Sequence, residues 1–207
     1  MRTIVVVNLK GGCGKSTIAT HMAAAMARSA ARAALADMDR QGSALRWLER
    51  RPPDAYPIGA IDWRKSMEKP PKGVDRLIID GPAGLRGKAL EETIALADVL
   101  VVPLLPSIFD EQATVRFLDR IDRIKAVRKG RTPTLLVANR YRKGGRAAER
   151  LEEFVTEAGR ALTARISERA AYADLAVRGL TLFDLKTRAA ANLMEEWMPL
   201  IEAADQA

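Results

Sequence analysis

The chain has 207 residues, of which 48% are hydrophobic and 29% are charged, a balance that excludes a wholly disordered protein. This length suits one hydrophobic core, and we predict a single domain over residues 1–207. Cys13 is the lone cysteine, which excludes an intrachain disulfide and a thiolate metal cluster built from this chain alone. A reducing, cytoplasmic location fits that composition. The formal net charge of +8 favours a polyanionic partner.

Runs of apolar, β-type residues alternate with helical patterns along most of the sequence. We predict strands at 2–8, 33–39, 75–81, 98–105, 132–140 and 161–167, and helices at 16–30, 88–97, 111–129 and 144–159. The strands are apolar over nearly their whole length, as are strands buried on both faces of a parallel sheet. The alternation predicts a doubly wound α/β fold with a mostly parallel sheet flanked by helices.

The segment 50–73 holds five of the ten prolines, which predicts irregular structure there with at most one short strand, at 57–61. No apolar run approaches the roughly 18 residues that a membrane-spanning helix needs. The first apolar run breaks at Asn8 and meets glycines, unlike a signal peptide.

The stretch "VVNLKGGCGKST", residues 6–17, joins the first predicted strand to the first helix. Gly14, Lys15 and Ser16 fit the second half of the phosphate-loop pattern G-x-x-x-x-G-K-[ST], but Leu9 stands where its first glycine is expected. Backbone N–H groups in such a glycine-rich turn bind phosphate oxygens. We predict that Lys15 contacts the terminal phosphates of a nucleoside triphosphate and that the Ser16 hydroxyl holds Mg²⁺.

The rest of the loop supports the same interpretation. Gly11 and Gly12 supply a tight backbone, and Thr17 either supports the first helical turn or contacts the α-phosphate. Cys13 is expected to fill a position for a small residue. Lys10 is unusual, because one lysine suffices for an ordinary phosphate loop.

The segment "KGGCGKST" resembles the deviant Walker A box of the ParA/MinD ATPases, which is marked by a lysine before the glycines. This resemblance implies ATP and Mg²⁺ as cofactors and a homodimer that forms when ATP is bound. It also implies that Lys10 crosses the dimer to the partner's phosphates and acts in catalysis together with Lys15.

A second segment, "DMDRQGS", resembles the D-x-D-P-Q-G-S box of the same family, with Arg40 in place of proline. Asp37 and Asp39 follow the second predicted strand two residues apart, so they point to the same side of the sheet. The resemblance implies that Asp39 activates the attacking water and that Asp37 lies nearer the metal. Without proline to fix φ, the stiffness of this loop is an open question.

Two later strands also end in polar residues. Asp80, in "RLIIDGPAGL", resembles the family's Walker B aspartate and is predicted to bind Mg²⁺. Asn139, in "LLVANRY", resembles the family's adenine-binding asparagine, although an Asx turn would explain it equally. The stretch 101–110, "VVPLLPSIFD", resembles the family's passage from strand to helix, with an architectural role.

The resemblance extends from residue 1 to about residue 200 and is weak after residue 145. The chain is similar to the small ParA type, and we expect no N-terminal DNA-recognition extension. That type implies an ATPase that binds non-specific DNA as a dimer and hydrolyses ATP when a ParB-like or cargo-adaptor protein stimulates it. It would then associate with the nucleoid and segregate or space a plasmid, a chromosome origin or a protein compartment.

Basic residues form two candidate surfaces for DNA phosphates. The first lies around 140–150 and the second is dispersed late in the chain; their members are Arg140, Arg142, Lys143, Arg146 and Arg150, and Arg165, Arg169, Arg178, Lys186 and Arg188.

Two alternatives stay open at this point. A MinD-like ATPase would bind membrane through a basic amphipathic C-terminal helix, but the tail 192–207 carries four acidic residues and no lysine or arginine, which disfavours membrane. A metabolic ATP-dependent ligase or amidase on the same fold would show turnover without DNA or a partner protein. An iron–sulfur carrier would need paired cysteines, which the chain does not have.

Overall fold

A computed structural model describes residues 1–107 and 111–206. The described residues form seven strands: β1 Arg2–Val6, β2 Ala33–Asp37, β3 Ile58–Asp62, β4 Arg76–Asp80, β5 Val99–Leu104, β6 Thr134–Tyr141 and β7 Leu162–Ser167. The helices are α1 Lys15–Arg28, α2 Ser43–Glu49, α3 Gly87–Ala95, α4 Glu111–Arg123, α5 Lys125–Arg128, α6 Arg146–Glu157, α7 Ala171–Val177, α8 Arg188–Met194 and α9 Met198–Gln206, with a 3-10 turn at Leu182–Asp184.

The strands form one sheet in the order β3-β2-β4-β1-β5-β6-β7, and every pair of neighbours is parallel. The predicted parallel α/β fold is therefore confirmed. All strands end at the same edge of the sheet, which is where ligands of such folds bind. We call it the carboxyl edge.

Two layers of helices cover the sheet, because side chains of each central strand alternate between its faces. Ile4 and Val6 of β1 pack with α1 and the C-terminal helices, whereas Val5 and Val7 pack with α3, α4 and α6. All four side chains are fully buried. This double coverage is the reason that β1 is apolar throughout.

Pro103 lies inside β5, a central strand, where a missing N–H would normally break the ladder. It is tolerated because β1 pairs with β5 only as far as Val101. Beyond that point the Pro103 carbonyl accepts a hydrogen bond from the Asn8 side chain, at 2.7 Å. Residues 108–110 of the predicted strand-to-helix passage lie outside the described residues.

The prediction of a single helix over 111–129 is wrong in one respect, since Ile124 has an extended backbone and separates α4 from α5. No glycine or proline marks this break. It lets Ile124 and Val127 pack against the apolar cluster under α3 and α4. The one short strand predicted near 57–61 is confirmed as β3.

The sequence patterns did not predict α2 or the helices after residue 170. Trp197 precedes α9 and is fully buried, and Trp47 and Trp63 are buried as well. Leu200, Ile201 and Ala204 of α9 are also buried, so this helix covers the sheet. No helix among the described residues combines the length and the apolar character that crossing a bilayer requires.

Candidate nucleotide site at the carboxyl edge

The phosphate loop occupies residues 7–14, between the central strand β1 and helix α1. Gly14 precedes the helix with φ +93°, a left-handed conformation that side chains with a Cβ rarely adopt. This turn aims the first N–H groups of α1 at the space beyond the strand. The arrangement is an anion site of the kind that phosphate groups occupy.

The backbone of Lys10 organises the loop from inside. Its carbonyl oxygen accepts hydrogen bonds from the Lys15 ammonium at 3.0 Å and from the Cys13 thiol at 3.3 Å. Its N–H donates to the Asn8 side chain at 3.1 Å, and that side chain is bonded to β5. The Lys15 ammonium therefore lies within the loop, and phosphate oxygens that bind there would take the place of the Lys10 carbonyl as its partner.

Cys13 is buried and its pKa is raised chiefly by that burial, although the nearby Lys15 charge opposes the rise. A thiol with a raised pKa is a weak nucleophile. This agrees with the packing role expected for Cys13.

Asp80 lies at the end of β4, beside the end of β1, where it pairs in register with Val6. Asp80 is 1% exposed, and neither carboxylate oxygen has a hydrogen-bond partner with good geometry within the described residues, although the Ser16 hydroxyl lies close enough to influence its pKa. Burial, together with the charge of Asp37, raises the Asp80 pKa to about 7, while the Ser16 hydroxyl and the Lys15 charge act in the opposite direction. A buried carboxylate without partners is rare and calls for a cation.

The donor set fits Mg²⁺. Ser16 supplies a hydroxyl in the first turn of α1, Asp80 supplies carboxylate oxygens, and Mg²⁺ prefers such oxygen ligands completed by water and phosphate. These two residues are the ones that could hold it.

Asp37 has a different environment, although it ends the neighbouring strand β2 in register with Asp80. Its carboxylate accepts hydrogen bonds from the N–H groups of Ala44 and Leu45, at 2.9 and 3.1 Å, and of Asp39 at 2.9 Å. Asp37 thus satisfies orphan donors in the first turn of α2. Burial nevertheless raises its pKa. The metal role predicted for Asp37 stays a prediction, in a residue whose oxygens already accept three hydrogen bonds.

Asp39 is half-buried in the loop that joins β2 to α2. One carboxylate oxygen accepts the Gln41 N–H at 2.9 Å, and the Asp39 carbonyl accepts the Gly42 N–H at 2.8 Å. The side chain therefore stands near the carboxyl edge on a hydrogen-bonded turn.

Asn139 packs directly on the phosphate loop. Its amide nitrogen donates to the Cys13 carbonyl at 2.8 Å, and a Cβ placed on Gly14 would lie 2.1 Å from that same nitrogen. Asn139 is buried at the end of β6. Contact with adenine stays a prediction, whereas contact with the loop is present in this structure.

The turn after Asp80 is joined to the phosphate loop by backbone hydrogen bonds. Gly81 N–H donates to the Val6 carbonyl at 2.9 Å, and Gly84 N–H donates to the Leu9 carbonyl at 3.0 Å. A Cβ on Gly81 would lie 2.8 Å from the Val6 oxygen, so only glycine fits. Movement of either loop would therefore pull on the other.

Two arginines near the loop were not among the predicted site residues. Arg86 and Arg116, together with Lys10, line a cavity of about 300 Å³ beside the loop. Arg86 follows Asp80 and the stretch "GPAG" closely in sequence, and this proximity to a predicted metal ligand could have suggested it. Arg116 lies in α4, 106 residues from Lys10, and only the fold places it there.

The predicted DNA-binding residues converge only in part. Arg142, Lys143, Arg165 and Arg169 line one cavity of about 690 Å³ beyond β6 and β7. Carboxylates share that cavity: Glu168 bonds Arg142 at 2.6 Å and Glu152 bonds Arg165 at 2.7 and 2.8 Å. Much of the positive charge there is neutralised within the protein.

The remaining predicted members lie outside that cavity. Arg140 is exposed, with φ +52° at an irregularity of β6. The others are exposed along later elements: Arg146, Arg150, Arg178, Lys186 and Arg188.

A glycine-rich loop between the central strand and the first helix of a parallel sheet, with strand-end carboxylates beside it, places this chain among the P-loop α/β proteins. Residues 4–182 match the family model described as the CobQ/CobB/MinD/ParA nucleotide binding domain. The chain belongs to this family, and the resemblance to ParA/MinD proteins is confirmed.

The chain is 26% identical over 193 residues to the maintenance of carboxysome distribution protein A of Halothiobacillus neapolitanus, covering 90% of this chain and 88% of that protein. Among solved structures, an ATP complex of Cyanothece McdA gives a TM-score of 0.76 at 19% identity, covering 99% and 96% of the two chains. The septum site-determining protein MinD of Pyrococcus horikoshii, complexed with Mg-ADP, gives 0.68 at 19% identity over 99% and 96%. These two likenesses establish the fold.

Proposed function

We propose that this chain is a ParA-type positioning ATPase that uses ATP and Mg²⁺. The observation that carries the proposal is the nucleotide loop itself, in which Lys10 and Lys15 flank the glycines while the buried Asp80 carboxylate stands beside them without a hydrogen-bond partner. The solved relatives with ATP and with Mg-ADP support the same two ligands.

The chemistry follows from the positions of these groups. Lys15 would leave the Lys10 carbonyl and bind the terminal phosphates, while Ser16 and Asp80 hold the metal. Bound Mg²⁺ would neutralise phosphate charge as the phosphoryl group transfers. Asp39 would orient a water and take up its proton as the water oxygen attacks the γ-phosphorus. The bond from this phosphorus to the bridging oxygen would break, and ADP and phosphate would leave.

Lys10 is proposed to act across a dimer. The nucleotide of each subunit would lie between two copies of the chain, and the Lys10 ammonium of one copy would approach the phosphates bound by the other. Such a charge stabilises the transition state as an arginine finger does. Dimerisation would then depend on ATP.

We propose further that the ATP-bound dimer binds DNA without sequence preference and that an adaptor protein stimulates hydrolysis and release. The net charge of +8 supports the first part. The cargo that we favour is a protein compartment, because the relative from Halothiobacillus neapolitanus is named for carboxysome distribution. A plasmid cargo is less well supported, because the plasmid partition protein of Borrelia burgdorferi is similar in fold but only 18% identical in sequence.

A membrane role is less well supported. Helix α9 directs Leu200, Ile201 and Ala204 into the core, so these three residues are covered by protein, and Met198 is the large apolar side chain that the helix leaves exposed. A MinD-like tail would need an apolar face available to lipid.

The test is binding of the full chain to an arbitrary DNA duplex with ATP, with ADP or without nucleotide, at two salt concentrations. We expect salt-sensitive binding with ATP that Lys10→Ala abolishes, because this variant would lose the dimer while each subunit still binds nucleotide through Lys15. Fluorescent ATP binding and light scattering separate these two steps. Equal binding in all three nucleotide states would contradict the switch, and no binding in any state would overturn the DNA part of the proposal.

A further inference from the structure

Helices α4 and α5 border a basic groove that the proposed nucleotide chemistry does not use. The segment 116–131 carries seven basic and two acidic residues, a net +5 out of the chain's +8. The groove lies between this segment and α3 and has a volume of about 950 Å³. Five cationic residues line it: Arg116, Arg120, Arg123, Lys125 and Arg131. We call it the α4 groove.

The cations of the α4 groove are available to a ligand. All five are exposed, and within the part of the chain that the structure describes none of their side chains forms an ion pair or a hydrogen bond. Two carboxylates, Glu91 and Asp119, also line the groove but pair with none of the five. By contrast, Arg142 and Arg165 of the sequence-predicted clusters are each bonded to a glutamate.

Packing of α4 fixes the direction of its arginines. Phe117, Leu118 and Ile121 are buried against the sheet, which orients the helix. Arg120 and Arg123 then stand on its exposed side, three residues apart, so they are neighbours on one face. The cations are held on a packed helix, which reduces the entropy lost when they bind a ligand.

We propose that the α4 groove binds the phosphate backbone of duplex DNA, an inference that rests on the proposed function and assigns its DNA contacts to a surface. Arg116 and Arg123 are seven residues apart in a helix, a rise of about 10 Å. Along the DNA axis one strand carries a phosphate about every 3.4 Å, so the DNA passing over this length of helix presents several phosphates. More than one cation of the groove can therefore contact the same strand.

An acidic protein segment fits the groove less well. Apart from the arginine and lysine stems, the apolar lining consists of Ala95, Ile124 and Ala126, and none of these is a large exposed side chain. Protein partners are usually anchored by aromatic or large apolar side chains inserted in pockets. A surface of unpaired cations with few apolar anchors is typical of nucleic-acid backbones.

Helix α4 also connects the groove to the nucleotide loop. Arg116 lines both the groove and the small cavity that contains Lys10. A displacement of α4 that accompanied nucleotide binding would therefore move the arginines of the groove as well. Such a displacement would make DNA binding by the groove depend on ATP.

The test compares the wild-type chain with Arg120→Ala/Arg123→Ala, using a fluorescently labelled random-sequence duplex and a non-hydrolysable ATP analogue with Mg²⁺. We expect the variant to bind at least about 10-fold more weakly, and the slope of log K against log[salt] to fall in magnitude by about 2, since each phosphate contact contributes about 0.9. Lys65→Ala/Lys69→Ala is the matched control, because it removes the same charge from an exposed loop elsewhere. Arg142→Ala/Lys143→Ala tests the cluster predicted from the sequence.

The outcomes separate the two proposals. Fluorescent ATP binding and the thermal midpoint should be unchanged in Arg120→Ala/Arg123→Ala, which shows that the chain is folded and its nucleotide site intact. Wild-type affinity and slope in this variant would overturn the α4 groove alone, and would leave an acidic protein segment as its occupant. Absence of DNA binding by the wild-type chain in every nucleotide state would instead overturn the DNA part of the proposed function, and the groove assignment with it.

Discussion

At the scale of single residues, the Asp80 carboxylate lowers the stability of the empty protein while it prepares the site for a cation. It is buried without a hydrogen-bond partner, and its pKa is raised to about 7. Above that pH, the folded chain without nucleotide therefore carries a buried charge that Lys15 and Ser16 offset only in part. This arrangement costs stability in the empty protein and favours a cation in the loaded one.

We expect Asp80→Asn to stabilise the nucleotide-free chain at pH 8 by about 4 kcal/mol, because the carboxyl pKa is raised from 3.8 to about 7 and one pKa unit corresponds to about 1.4 kcal/mol. A raised carboxyl pKa means that the folded state takes up a proton before the unfolded state does. As pH falls from 8 to 5 the wild-type chain should regain most of the difference. Urea unfolding at both pH values in EDTA measures the difference in the free energy of unfolding between variant and wild type. A difference that does not shrink from pH 8 to pH 5 would contradict the raised pKa.

His21 is the second residue whose protonation should affect stability. It is fully enclosed, stacks on Trp197 with ring centroids 4.6 Å apart, and donates from Nδ1 to the Thr17 carbonyl at 2.8 Å. Its Nε2 has no partner within the described residues. Burial lowers the His21 pKa to about 4, so the ring is neutral in the folded chain.

Because the unfolded chain protonates His21 near pH 6.5 and the folded chain only near pH 4, stability should fall as pH drops through that window. The expected contribution is about 2 kcal/mol between pH 7 and 5. His21→Phe keeps an aromatic ring and removes the titration, so the stability difference between variant and wild type should grow by that amount on acidification. Denaturant midpoints at the two pH values give the answer, and parallel pH profiles would refute it.

At the scale of elements, a buried ion pair joins the end of α2 to the C-terminal part of the chain. Arg51 bonds Asp184 of the 3-10 turn at 2.6 and 3.1 Å and donates to the carbonyls of Gly179 and Tyr56. Both charged side chains are less than a tenth exposed. Asp184 also accepts from the Thr181 N–H and hydroxyl.

We expect Arg51→Ala to lower the free energy of unfolding by about 3 kcal/mol, since it leaves the Asp184 charge buried without its partner. Arg32→Ala is a suitable control, because the Arg32 ion pair with Asp75 is exposed and should leave the unfolding midpoint nearly unchanged. Thermal or urea unfolding of both variants compares them directly. If the two variants lowered the free energy of unfolding equally, burial of the ion pair would not be the cause of the Arg51→Ala effect.

The elements also show what the sequence could and could not predict. Strands such as β1 and β4 and the loop around Gly14 were predicted correctly, because their signals are local runs of apolar residues and fixed glycine spacing. Helix α2 was missed because its first turn is stabilised by Asp37, six residues before it. The break at Ile124 was missed because only packing causes it.

At the candidate site too, local motifs were predictable from the sequence and contacts between distant residues were not. The sequence identified Asp80 and Lys15 by position in motifs, and the structure places both beside the loop. It could not reveal that glutamates neutralise Arg142 and Arg165, since Glu152 and Glu168 reach them only in the folded chain. Arginines at helical spacing in 116–123 were visible in the sequence, but their lack of partners was not.

At the scale of the whole molecule, the all-parallel sheet collects the functional groups at one edge. Asp37, Asp80 and the loop after β1 come together there because β2, β4 and β1 are neighbours. Helix α4 leads away from that edge and carries the α4 groove. Nucleotide and polyanion would therefore occupy separate surfaces of one body, connected through a single helix.

The Asp37 hydrogen bonds have a consequence for how freely this sequence can vary. Because the Asp37 side chain bonds both ends of the segment 39–45, the shape of that segment does not depend on a rigid proline ring at position 40. Arg40 can therefore stand where the box that this segment resembles has a proline, because the Asp37 hydrogen bonds supply the restraint that proline would have given. Changes at position 40 should accumulate neutrally during evolution, whereas Asp37 should tolerate almost none.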